Sequence, residues 1–173
     1  MIFMGDNIIL IGMAGAGKST IGVQLAKLRG MDFSDTDLLI QSAHEQTLQT
    51  ILDEQGYQVL RQYEEDILSG LELKNTVIAT GGSAVYSEKA MTHLSTLGLI
   101  VYLEVSFDEI VRRVKNVDTR GIACPPELTF EDIFNERKPL YERYADLAID
   151  NNGQSLSIEM LNEKIEEQRV KKA

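Results

Sequence analysis

The stretch that most constrains this chain runs G-M-A-G-A-G-K-S-T from Gly12 to Thr20. It fits G-x-x-x-x-G-K-[ST], the pattern of a phosphate-binding loop, and its neighbours decide what the match means. The apolar run Asn7–Ile11 precedes it, and Ile21, Leu25, Ala26 and Leu28 follow at helical spacing. A buried strand therefore delivers the chain into a small-residue turn, and a helix carries it away. Phosphate binding needs that context: the glycines let backbone N–H groups turn inward, and the helix N-terminus adds partial positive charge. The candidate nucleotide contacts are Gly12, Ala14, Gly15, Ala16, Gly17, Lys18, Ser19 and Thr20. Lys18 suits the β- and γ-phosphates, and the Ser19 hydroxyl suits Mg²⁺. A nucleoside triphosphate is the expected ligand; what receives its phosphoryl group must be read elsewhere in the chain.

The 173 residues suit one domain with a sizeable core, taken as 1–173. A net charge of −10 argues against sequence-independent nucleic-acid binding, and it leaves an anionic substrate to be captured by local arginines. The one cysteine, Cys124, excludes an intramolecular disulfide and a cysteine zinc cluster. No apolar run approaches the roughly 18 residues of a membrane span, and the first residues do not read as a signal peptide. The expectation is a cytoplasmic monomer with no membrane partner.

Five short apolar runs read as strands: Asn7–Ile11, 31–34, Thr76–Ala79, 99–105 and Leu147–Asp150. Helical stretches lie between them at 47–69, 87–97, 107–115, Phe130–Tyr144 and 157–170. Little alternation within the runs suits parallel strands covered on both faces, so the expected class is α/β with helices on both sides of the sheet. Ligands of such sheets sit beyond the carboxyl ends of the strands. There the chain places the phosphate loop, then Asp35 and Asp37, then Gly81 and Gly82. Residues 116–128, with Arg120 and the Pro125-Pro126 pair, have no clear period and read as a mobile flap.

Asp35 and Asp37 would point the same way if extended strand geometry ran through both. One acid could hold the water shell of Mg²⁺ while the other hydrogen-bonds an acceptor hydroxyl and takes its proton. The plainer alternative is a helix N-cap. Gly81 and Gly82 either end a strand or let a substrate approach the backbone closely. Arg61 and Glu64 are spaced for a salt bridge on a helix surface, or for Glu64 to aim Arg61 at a substrate carboxylate. Arg137 is open to the same two readings.

The order of these pieces resembles the shikimate kinase family: phosphate loop, Asp-x-Asp, Arg-x-x-Glu, Gly-Gly, flap arginine and the run Arg137-Lys138-Pro139-Leu140-Tyr141. The resemblance spans about residues 8–149. It implies a P-loop kinase fold in three layers, with a five-stranded parallel sheet ordered 2-3-1-4-5 and a lid at about 116–129. It implies ATP and Mg²⁺, with Lys18 and Ser19 serving them and Asp35 holding the metal's water shell. Asp37 would bind the acceptor diol and assist deprotonation of the shikimate 3-hydroxyl. Arg61 and Arg137 would hold the ring carboxylate, and Gly81 and Gly82 would contact ring hydroxyls through the backbone. The acceptor elements would come from a helical segment at about 36–69. Arg120 would neutralise the transferring phosphoryl from the lid, and Arg113 would lie near adenine.

The chain departs from the family pattern where a third glycine usually stands, at Ser83. It departs again in the lid, which continues Arg120-Gly121-Ile122, and after the last strand, where 151–155 lack the usual Arg and Pro. The rival readings are a kinase of another small hydroxy acid or polyol, such as a gluconate-type acid, and a non-catalytic nucleotide-binding module.

Overall fold

The computed structural model describes residues 5–115, 121–153 and 156–172. Its elements run β1 (Asn7–Ile11), α1 (Lys18–Arg29), β2 (Asp32–Asp35), α2 (Thr36–His44), α3 (Leu48–Gln55), α4 (Tyr57–Ser69) and β3 (Thr76–Ala79). A 3₁₀ turn (Ala84–Tyr86) leads to α5 (Glu88–Leu97), β4 (Gly98–Glu104), α6 (Phe107–Arg113), α7 (Phe130–Tyr144), β5 (Leu147–Asp150) and α8 (Ile158–Lys172). Every strand pair is parallel and the order is β2-β3-β1-β4-β5, with helices on both faces. The sheet thus has the order the family resemblance implied.

The central strands are apolar along their whole length because both faces are covered. All five residues of β1 and all four of β3 are buried. The edge strands β2 and β5 are half-exposed and correspondingly more polar. Ile8, Ile9, Leu10 and Ile11 pack with Val77, Ile78, Leu99, Val101 and Leu103 in one apolar core, together with Leu25, Met91 and Ile165 from the helices. At the amino-terminal end of the sheet the buried Asn7 ties three segments together. Its Nδ2 donates to the carbonyls of Leu73 (2.7 Å) and Leu97 (3.0 Å), and its Oδ1 accepts from the Thr76 N–H (2.9 Å).

The register sets the site. Leu10 lies level with Ala79, and Ala79 lies level with Asp35, so β1, β3 and β2 end side by side. The residues that follow them (the phosphate loop, Gly81-Gly82 and Asp37) must then share one edge of the sheet.

Two elements differ from the sequence reading. The helix expected over 47–69 is two helices, because Gly56 sits at φ 88° and ψ 166° and cannot continue the first. The Asp-x-Asp segment is not extended through both acids. Asp35 ends β2 in extended geometry and caps α2, and Asp37 is already in the first helical turn.

Candidate active site

Gly17 caps α1 in the left-handed region at φ 92°, and Gly15 stands at φ 84°, so the loop wraps back over the helix N-terminus. Lys18 is buried and folds across this loop. Its Nζ donates to the carbonyls of Gly12 (2.7 Å) and Met13 (2.8 Å). Burial lowers its pKa to about 8, against the opposing pull of Asp37 and Asp35. A lysine so placed can exchange two neutral carbonyl partners for phosphate oxygens, a stronger charge-assisted contact.

The loop opens on a cleft of about 880 Å³. A wall of the cleft is built by Arg113 and Asn151. Arg113 Nε donates to Glu109 (2.7 Å) and its Nη2 to the Asn151 carbonyl (2.6 Å), which holds the guanidinium plane still. Asn151 Nδ2 donates in turn to the Ala16 carbonyl (2.8 Å), pinning the phosphate loop to the segment after β5. Asn151 was not singled out in the sequence; its two partners lie 38 and 135 residues away.

Ser19 Oγ donates to Asp35 Oδ2 at 2.6 Å, while Asp35 Oδ1 accepts from the Asp37 N–H at 3.0 Å. Asp35 is therefore both a helix cap and the partner of the loop serine. One hydroxyl and one carboxylate beside a phosphate site fit Mg²⁺, which keeps most of its waters and takes few protein ligands. The described residues hold no cluster of three or more His, Cys, Asp or Glu that would suggest a softer or protein-caged metal.

Asp37 stands where two cavities meet. Together with Ala14 and Gly82 it lines both the large cleft and a smaller cavity of about 50 Å³ enclosed by Ile40, Leu48, Leu60 and Glu64. Its carboxyl pKa is raised to about 6, first by burial and then by Asp35, with Lys18 opposing. A carboxyl poised there is suited to accept a proton from an alcohol.

Gly81 and Gly82 are glycines because charged side chains pack against them. A Cβ at Gly81 would lie 2.3 Å from Glu64 Oε1 and 2.8 Å from Asp37 Oδ1, and one at Gly82 would lie 2.9 Å from Arg137 Nη1. Their backbone groups are engaged within the protein: Gly81 N–H donates to Thr36 Oγ1 (3.3 Å), and the Gly82 carbonyl accepts from Tyr141 Oη (2.5 Å).

The Arg61–Glu64 ion pair suggested by the spacing is not formed. Glu64 turns inward, 4% exposed, and accepts from Ser83 Oγ. Arg61 turns the other way and stacks 3.8 Å over the Tyr86 ring, with Tyr57 on a second side. Arg137 is 1% exposed on α7 and donates through Nε to Tyr86 Oη (3.4 Å). Both arginines also donate to the Ala123 carbonyl, and Arg61 Nη2 is buried with no partner among the described residues. Such a pair leaves donors for an incoming carboxylate. Of the lid, Gly121 is fastened through its N–H to Gln49 Oε1 (2.9 Å), and Arg120 lies outside the described residues. Cys124 is half-buried and burial pushes its thiol pKa up, which leaves it a weak nucleophile.

The model of the family described as shikimate kinase matches residues 14–169. A curated shikimate kinase from Pasteurella multocida (strain Pm70) is 38% identical over 156 residues, 88% of this chain and 89% of that one. Among solved structures, shikimate kinase from Acinetobacter baumannii in complex with shikimate superposes with a TM-score of 0.77 at 27% identity, covering 99% of this chain and 96% of that one. A gluconokinase from Sinorhizobium meliloti 1021 superposes with a TM-score of 0.52 at 16% identity, covering 98% and 94%, and so shares the fold alone.

Proposed function

The chain belongs to the shikimate kinase family, and on that premise we propose which of its residues transfer the γ-phosphoryl group of ATP to the 3-hydroxyl of shikimate, giving shikimate 3-phosphate and ADP. The observation that carries the assignment is the position of Asp37. It lies at the junction of a cleft large enough for a nucleotide and a smaller cavity lined by Ala123, whose carbonyl accepts from both Arg61 and Arg137, with Lys18 close enough to act on its charge.

In this reading the loop from Gly12 to Thr20 holds the phosphates, and Lys18 leaves the Gly12 and Met13 carbonyls to pair with them. Ser19 and Asp35 would hold Mg²⁺ and its water shell, and the metal would supply charge neutralisation for the transfer. Arg113 offers its fixed guanidinium face to adenine. Arg61 and Arg137 take the shikimate carboxylate, which fixes the ring and presents its hydroxyls to Asp37. Asp37 orients the 3-hydroxyl and accepts its proton as the oxygen attacks. Gly81 and Gly82 keep the two carboxylates and the ring close together. Arg120, assigned from the family resemblance, would bring the last positive charge from the lid. Phosphoryl transfer asks for this kind of positioning and neutralisation more than for covalent chemistry.

No helix among the described residues is long and apolar enough to cross a membrane, and in this reading the enzyme acts on a small molecule. The test is shikimate-dependent release of ADP. Wild-type protein should show saturable release and Asp37→Asn should lose it by about 10²-fold or more, as removal of a general base does. Turnover of a gluconate-type acid but not of shikimate would refute the assignment.

A further inference from the structure

The small acceptor cavity of about 50 Å³ has a neighbour, a chamber of about 310 Å³ on the side of α4 that carries Tyr57, Arg61 and Glu65. Two polar side chains, Glu64 and Ser83, line both, along with Ala84 on the chamber side. Those two are joined by a hydrogen bond from Ser83 Oγ to Glu64 Oε2. The other carboxylate oxygen, Oε1, faces the Cα of Gly81 beside Asp37 Oδ1. We infer that Ser83 is a positioning residue for the acceptor: its hydroxyl holds the Glu64 carboxylate as the partition between the two spaces, and so gives the acceptor cavity its shape and charge. The inference rests on the acceptor reading above.

The geometry requires such a restraint. Glu64 is buried, and a buried carboxylate without a donor is costly. The charged and titratable groups that face it come from several elements: Asp37 on α2, Lys18 on α1, Arg137 and Tyr141 on α7. Arg61, one turn away on α4 itself, stacks on the Tyr86 ring and donates to the Ala123 carbonyl instead. Ser83 is thus the one side-chain hydrogen-bond donor given to Glu64 among the described residues. Burial and Asp37 favour the neutral acid, while Ser83, Arg137 and Lys18 favour the carboxylate. Without the Ser83 hydroxyl the carboxyl is freer to take up a proton and to swing into the outer chamber. Either change alters the wall against which the acceptor ring packs.

The experiment is shikimate affinity, measured by titration calorimetry across pH 5 to 8.5, for wild type, Ser83→Ala, Glu64→Gln and the double variant. Wild-type binding is the control: no binding of shikimate at any pH rejects the acceptor reading itself. With that control in place, Ser83→Ala should weaken binding about 3- to 10-fold, the share of one hydrogen bond. It should also move the acid-side loss of affinity to higher pH. The shift of the acid limb should vanish when Ser83→Ala is made in the Glu64→Gln background, which has no proton to titrate at that position. A Ser83→Ala variant with wild-type affinity and an unmoved acid limb overturns the inference. So does an acid-limb shift of equal size in the Glu64→Gln background, because Ser83 would then act through a group other than Glu64.

Discussion

Arg61 and Arg137 reach one oxygen from two helices: Arg61 Nε and Arg137 Nη2 each lie 3.1 Å from the carbonyl of Ala123. A backbone carbonyl from the lid segment therefore sits at the convergence of two guanidinium groups, where one oxygen of a carboxylate would be held more strongly. The buried Arg61 Nη2, without a partner among the described residues, is a donor left for a second oxygen. In the proposed reading the acceptor's carboxylate would displace the Ala123 carbonyl. Arg61→Lys and Arg137→Lys keep the charge and lose the fork. Each should raise the KM for shikimate about 10- to 100-fold, the range set by one charged hydrogen bond, with a much smaller change in the KM for ATP. Equal effects on both substrates would count against this carboxylate site.

Much of this arrangement could be read from the residues alone, for physical reasons that differ from piece to piece. β1 was legible because five consecutive apolar residues before a glycine-rich turn have few other uses, and all five are buried. Asp35 was open between metal ligand and helix cap; it caps α2 through the Asp37 N–H and also accepts from the Ser19 hydroxyl. Spacing failed at Arg61 and Glu64. The three-residue interval reports on an exposed helix face, whereas α4 has Glu64 turned into the core and Arg61 turned to an aromatic ring. Spacing failed also at Gly56, since one glycine in an amphipathic pattern does not announce its φ. Asn151 and the Ser83–Glu64 bond were beyond reach, because they join segments that only the sheet register brings together.

Gly81→Ala separates folding from catalysis. The added Cβ would meet Glu64 Oε1 at 2.3 Å and Asp37 Oδ1 at 2.8 Å. Both atoms are ends of side chains, so the clash is relieved by moving the two carboxylates, with no backbone carbonyl in the way. The variant should fold, with a cost within about 1–3 kcal/mol in a denaturant titration, as small-to-large changes in packed sites do. Its kcat/KM for shikimate should fall at least about 100-fold, since misplacement by about 1 Å carries that penalty. Near-wild-type turnover would show that Asp37 and Glu64 need not stand where the structure puts them.

Ser19→Ala tests the metal assignment without touching the acceptor side. The hydroxyl donates to Asp35 at 2.6 Å, so its loss removes a proposed metal ligand and one of the two contacts that hold the Asp35 carboxylate. Activity should then need about tenfold more Mg²⁺ for half-saturation, and added metal should recover most of the rate. An unshifted Mg²⁺ titration would remove Ser19 from the metal site.

Glu64 should leave its mark on the pH dependence of stability. Its carboxyl pKa is raised from 4.5 to about 7, first by burial and then by Asp37, with Ser83 acting the other way. Between those two values the folded protein holds a proton that the unfolded chain has released, so stability must fall as pH rises through the window. The fall from this one group is at most about 3 kcal/mol, at roughly 1.4 kcal/mol per pH unit. Glu64→Gln carries no titrating proton but keeps an oxygen that can accept from Ser83. Urea titrations at pH 4.5 and 7.5 should therefore show the wild type losing stability relative to Glu64→Gln as pH rises, with the gap fully open above about pH 7. Asp37, whose pKa is also raised, remains in both proteins. Parallel stability curves for the two proteins would mean that Glu64 is as well solvated when folded as when unfolded, and the buried partition between the two cavities would have to be abandoned.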